Sequence, residues 1–184
     1  MKRTAAALCG VVLAMVSVGL ADETPRVAPT SQPGALNVKD FGARGDGQAD
    51  ETAAFQAALD RAGKDGCGTV FVPAGQYLFK GHLNVPAGVT LQGTYQSMIS
   101  HGGVAQRPGH KPHDGGTMLL VTENAGKEDG PPFVLLNSNS VLRGVIIYYP
   151  DQKIDQTPQP YPWCISMPAD NASVLEVELL NPYN

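Results

Sequence analysis

The stretch "NVKDFGARGDGQADETAAFQAAL", residues 37–59, sets three glycines and four acidic residues ahead of an alanine-rich run. Three readings compete for it: a cofactor-binding glycine loop, an RGD adhesion signal at Arg44-Gly45-Asp46, or a turn that leads into a capping element. Gly42, Gly45 and Gly47 are spaced GxxGxG, which is not the GxGxxG of a dinucleotide loop. The strand-like "TVFV" at 69–72 also runs on into turns and further strands instead of a second βα unit. The glycines therefore read as turn glycines, and the RGD as a tripeptide inside that turn. Beyond it, Asp50 is an expected N-cap for a helix from about Glu51, with Glu51 complementing the helix dipole. Phe55, Ala58, Leu59 and Ala62 fall at i, i+3, i+4 and i+7, one apolar stripe, and Gly63 is expected as the left-handed C-cap.

From Gly68 onward the period changes from helical to two. "GTVFVPAGQYLF" (68–79) reads as a strand, a Pro-Ala-Gly turn and a second strand, and "LNVPAGVTLQG" (83–93) repeats the device. Further strands are expected at Met118–Val121, Phe133–Leu136, Val141–Tyr149, Trp163–Met167 and Val174–Leu180, with no helical pattern between them. A doubly wound α/β sheet is thereby excluded. "VTLQG" (89–93), "SVLRG" (140–144) and "SVLEV" (173–177) form a weak internal repeat. Recurring strands with loops of variable length suit a parallel β-helix, with a β-sandwich as the alternative. The Gly/His-rich 101–116 and the Pro-rich 150–162 then read as insertions at corners.

The ordered block from "NVKDFGARGDGQADETAAFQAALDRA" through "GCGTVFVPAGQYLF" to "LNVPAGVTLQG" resembles the N-terminal signature of the pectate-lyase-like superfamily, in its rhamnogalacturonase/epimerase-like branch. The likeness is close over about 36–93 and looser to 181. It implies a mainly β fold, a right-handed single-stranded parallel β-helix (solenoid), with the helix at 51–62 as an N-terminal cap over the first coil. Such a cap shields a sheet end that would otherwise invite pairing with another chain. The resemblance also implies a carbohydrate-active protein working on a pectin-like polysaccharide, as glycoside hydrolase or polysaccharide lyase. A lyase would bring in a calcium ion; no other cofactor is implied. A non-catalytic, tailspike-like glycan-binding scaffold is the alternative, and an inactive truncated fragment a third. The residues expected to carry catalysis are not identifiable in the chain, which reads as the N-terminal part of a longer β-helix.

Residues 1–21 carry a basic start (Lys2, Arg3), an apolar run from Ala5 to Leu20 and small residues at Gly19 and Ala21, the pattern of a cleaved signal peptide. Residues 22–35 form a Pro/Ser/Thr-rich linker, and 36–184 the β-helix portion. A secreted or periplasmic location follows, with no stable membrane insertion after cleavage. Without Lys2 and Arg3 the balance is 11 basic against 17 acidic residues, net −6. That sign offers no basic stripe for phosphates and argues against nucleic acid. Cys67 and Cys164, too few for a disulfide framework, are expected as buried thiols.

Tyr148, Tyr149, Tyr161 and Trp163 cluster around "YYPDQ" and "PYPW". Aromatic rings stack well on sugar faces, and Asp151 and Asp155 beside them can accept sugar hydroxyls or a cation. Tyr149, Asp151, Tyr161 and Trp163 are the candidate substrate-binding residues. His101, His110, His113 and Asp114 resemble a metal cluster, but Pro108, Pro112 and Gly115-Gly116 preclude the helix that would bring His110 and His113 together. No metal site is expected there.

Overall fold

The computed structural model describes residues 34–66, 68–95, 116–153 and 156–183. Its elements in chain order are β1 (Leu36–Asn37), β2 (Asp46–Asp50), α1 (Thr52–Lys64), β3 (Gly68–Phe71), β4 (Gly75–Phe79), β5 (Leu83–Val85), β6 (Val89–Gln92), β7 (Thr117–Val121), β8 (Val134–Leu136), β9 (Val141–Tyr148), β10 (Ile165–Ser166) and β11 (Ser173–Leu180). Every strand pair is parallel. The fold is mainly β, and the all-parallel pairing removes the antiparallel sandwich from consideration.

The strands lie in two sheets, one of eight in the order β1-β3-β6-β9-β7-β4-β2 with β11 on β9, and one of three in the order β10-β8-β5. The larger sheet curls sharply inside β9. Residues 141–143 pair with β6, whereas 146–148 pair with β7. Gly144, at φ +66°, is the bend between them. A β-carbon on Gly93, its neighbour across the sheet, would stand 2.2 Å from the Gly144 carbonyl oxygen, so only glycine fits. Thr117 staples this corner: its hydroxyl donates to the Val72 carbonyl at 2.8 Å and accepts the Thr94 N–H at 3.0 Å.

Alternation along each strand builds the core. Val70, Leu91, Leu142 and Val174 are register neighbours facing inward, as are Tyr77, Leu119 and Ile147 in the second column and Leu83, Val134 and Ile165 in the third, whereas Leu179, opposite Ile147, is exposed. Most of these side chains are fully buried, each contributing about 1.5–3 kcal/mol. The repeat noted in the sequence is real for its first two copies, where Leu91 pairs with Leu142. The third slips by one residue: Val174 opposes Leu142, and Leu175 opposes Arg143 and is exposed.

Helix α1 lies against β5 and β3, and its predicted stripe of Phe55, Ala58, Leu59 and Ala62 is buried. Phe55 makes edge contacts with Tyr77 (5.1 Å) and Phe79 (4.9 Å). On the same helix Gln56 completes the edge of the small sheet: its Oε1 accepts the Asn84 N–H at 3.0 Å, and its Nε2 donates to the Asn84 carbonyl at 3.0 Å. A side-chain amide thus takes the place of a neighbouring strand.

Both expected helix ends shift. Gly63 is not the C-cap: the helix runs on to Lys64, and the left-handed glycine is Gly66, at φ +89°. Gly63 is needed for proximity, since a β-carbon there would lie 2.8 Å from the Pro86 side chain. At the start, Glu51 occupies the cap position without a side-chain cap bond, while Asp50 Oδ1 accepts the Thr52 N–H at 3.1 Å from one residue further out.

Candidate functional site

The glycine loop is an anion-binding loop that holds the protein's own anion. Glu51 is buried, and its Oε1 accepts the N–H groups of Arg44 (2.9 Å) and Gly45 (3.1 Å). Successive backbone N–H groups in a turn make a concavity suited to negative charge. Glu51 stays at the start of α1, where it is expected to complement the helix dipole, and its side chain turns inward to close the loop. Gly45 lies flat on Tyr77, where a β-carbon would meet the ring at 2.9 Å. Asp46 Oδ1 accepts the Gln48 and Ala49 N–H groups at 2.9 and 3.2 Å, bonds that lower its pKa. The RGD tripeptide is thus built into a turn. Residues Asp46–Asp50 go on to form β2, a strand hidden in the sequence by its glycine and acids.

The four residues chosen as substrate-binding separate into two groups. Tyr149 and Tyr161 are buried and pack edge-to-face on each other, ring centres 4.7 Å apart. Their faces are thereby unavailable for stacking on sugar, and that part of the expectation is corrected. Burial raises the Tyr149 hydroxyl well above its ordinary pKa, and the Cys164 thiol beside it adds to the shift. Cys164 itself is a buried free thiol, as expected, pushed up by burial to about 11. Cys67 lies outside the described residues, as do Asp155 and the histidines 101, 110 and 113 with Asp114.

Asp151 and Trp163 are on the surface. Asp151 stands beside the Tyr161 hydroxyl, whose pKa is raised to about 12 by burial and by that carboxylate. Trp163 is 67 % exposed, although its backbone is fixed by the Phe133 N–H, which donates to the Trp163 carbonyl at 3.0 Å. A hollow over the buried Tyr149 and Tyr161 is walled by Glu123, Asn124, Pro131 and Pro162, and is only water-sized.

Sequence reading missed the segment 122–132 as a partner of this corner. The Gly126 N–H donates to the Pro160 carbonyl at 2.9 Å, and Gly130 sits under Pro162. Its signal was the turn chemistry of "ENAGKEDGPP", which marks a shaped loop. Among the described residues no group of three or more His, Cys, Asp or Glu side chains is placed to hold a metal ion, and no helix is long and apolar enough to cross a membrane.

Residues 35–124 match the family model described as rhamnogalacturonase A/epimerase, pectate lyase-like. Among curated proteins, alginate lyase 7 of Azotobacter vinelandii is 60 % identical over 45 residues, covering 24 % of this chain and 5 % of that protein. Mannuronan C5-epimerase AlgE3 of the same organism is 62 % identical over 46 residues, covering 25 % and 2 %. The chain thus spans only a few per cent of the length of these relatives. Among solved structures, the AlgE6 A-module of A. vinelandii aligns over 77 % of this chain and 43 % of its own, with 21 % identity and a TM-score of 0.41. A putative glycosyl hydrolase from Parabacteroides merdae aligns over 81 % and 76 %, with 14 % identity and a TM-score of 0.45. With the glycine loop, the helix α1 and the first parallel strands all inside the matched segment, residues 35–124 carry a rhamnogalacturonase A/epimerase, pectate lyase-like domain.

Proposed function

We propose that the chain forms a right-handed single-stranded parallel β-helix, exported by residues 1–21, whose role is to act on a polysaccharide by hydrolysis or β-elimination. The observation that carries this reading is the family match over 35–124. The order of strands supports the coil: successive passes of the chain return to the same three sides, α1 takes the third side in the first pass, and β9 and β11 each run across two sides. Relatives named for alginate and mannuronan support a uronate-containing polymer, with a pectin-like one in the same chemical class. Incubation of the chain with polygalacturonate and with alginate is the test. New unsaturated uronate absorbance marks a lyase, and new reducing ends without it mark a hydrolase. Absence of both products in a folded preparation sinks the hydrolase and lyase readings.

A second reading, a glycan-binding scaffold without turnover, is favoured by one observation. The corner keeps an open stacking ring in Trp163 while the neighbouring tyrosines are committed to the core. It predicts polysaccharide binding with no product in the same assay. For export, the mature protein recovered from the periplasm or medium is expected to begin at Asp22. A mature N-terminus still at Met1 would rule out cleavage.

A further inference from the structure

We propose that β11 pairs antiparallel with β11 of a second copy of the chain, joining two molecules end to end in a two-fold dimer. The pairing goes beyond the polysaccharide reading and does not depend on it.

The two ends of the strand stack are finished differently. At the first, Gln56 of α1 takes up the free edge of β5, β1 is two residues long, and β2 is rich in glycine and acid. Such edges are poor templates for another strand. At the other end, β11 pairs with β9 alone and β10 with β8 alone. Trp163, Met167, Leu175, Leu179 and Tyr183 are the large apolar side chains exposed among the described residues, and all five lie in this last pass of the chain. An unpaired apolar edge confined to one end can meet only its own kind, and a contact of that sort closes at two copies.

The backbone of β11 suits that contact. The Ser173 N–H donates to the Ser140 carbonyl, and the Leu180 carbonyl accepts the Tyr149 N–H, so both residues turn their backbone groups towards β9. By alternation, their neighbours Val174 and Leu179 turn theirs to the free edge. Val174 is opposite Leu142 and Leu179 opposite Ile147, both core residues, yet Leu179 is 40 % exposed with no strand beyond it. The strand also bends at Glu176, φ +53°, beside the Gly144 bend of β9. A two-fold axis between Glu176 and Val177 exchanges the arms 173–175 and 177–180. It sets Val174 of each copy against Leu179 of the other as a doubly hydrogen-bonded pair, and the two core columns run on into the copy. On the outer face it sets Leu175 against Glu178 of the copy.

The chain recovered from the medium or periplasm is tested by sedimentation equilibrium over about 1–100 µM. Twice the chain mass is expected, with slow amide exchange at Val174 and Leu179 that quickens on dilution. The register also gives a signed test at Leu175, an exposed side chain. Leu175→Lys attracts Glu178 of the copy and Leu175→Glu repels it, twice per dimer, so the lysine variant should dimerise about tenfold more tightly. Arg143 adjoins Leu175 in monomer and dimer alike and cancels in the comparison. Circular dichroism checks that both variants keep the native fold. Equal weakening in the two variants overturns the pairing, because undirected apolar association would lose the same from either charge. A monomer throughout the range overturns it as well. Fast exchange at Val174 and Leu179 would then mark a bare edge, and slow exchange an edge covered by another segment of the same chain.

Discussion

Glu51 shows how one residue can change the meaning of a motif. A glycine-rich turn with free N–H groups looks like a ligand loop, and here the ligand is the seventh residue after Arg44. Removing the carboxylate leaves two N–H donors in a largely closed site, each costing about 1–3 kcal/mol if unsatisfied. Glu51→Ala is therefore expected to lose about 2–4 kcal/mol in urea unfolding, and Glu51→Gln, which keeps an acceptor oxygen, clearly less. Equal stability of Glu51→Ala and the parent would mean that water replaces the carboxylate at no cost. The corner residues carry a related lesson about legibility. Val145 and Ile147 face the core, so period two places Tyr149 inward as well, and the alternation held that information. Nothing comparable was available for Trp163. It shares the parity of the inward Ile165 yet lies two residues before β10 begins, where the strand rule no longer applies.

Elements were legible where side chains alone determine them. β3 to β6 follow from alternating apolar residues and two Pro-Ala-Gly turns, and α1 from its stripe. β2 was hidden because "DGQAD" has low strand propensity and is held as a strand by pairing with β4, a partner 28 or more residues away. The end of α1 was misread for a similar reason: Gly63 answers to Pro86, which no local pattern reveals. The same holds for Gln56, an ordinary helix-surface residue until β5 is placed beside it. Gln56→Leu keeps the size and helix propensity but leaves the N–H and carbonyl of Asn84 to water. A loss of about 1–2 kcal/mol is expected, with faster amide exchange at Asn84 than at Val134 in the covered interior. Unchanged exchange at Asn84 in Gln56→Leu would show that the edge does not depend on the amide.

At the scale of the molecule, the titrating groups define a pH window. On the acid side, burial would raise the pKa of Asp50, but bonds from the Thr52 hydroxyl and N–H and from the Lys80 N–H outweigh it and hold the group low. Asp46 is lowered as well, chiefly by the N–H groups of Gln48 and Ala49. A depressed folded pKa stabilises above the unfolded value, about 3.9, and that stability is lost as pH falls through the folded one. Stability should therefore decline below about pH 4, and less steeply in Asp50→Asn. On the alkaline side the sign reverses. Burial raises Cys164 to about 11, above its unfolded value near 8.5. The neutral thiol is favoured in the fold, so its contribution is complete below the unfolded pKa and disappears as pH rises toward the folded one. Melting temperature measured from pH 8 to 11 should fall for the parent. Cys164→Ala should remove part of that fall, up to about 2–3 kcal/mol of pH-dependent stability, leaving the slope due to tyrosine. Cys67 is present in both proteins and cancels in the comparison. Parallel curves for parent and variant across that range would mean that Cys164 ionises as readily in the fold as in the unfolded chain, and that the core around Tyr149 and Tyr161 is open to solvent.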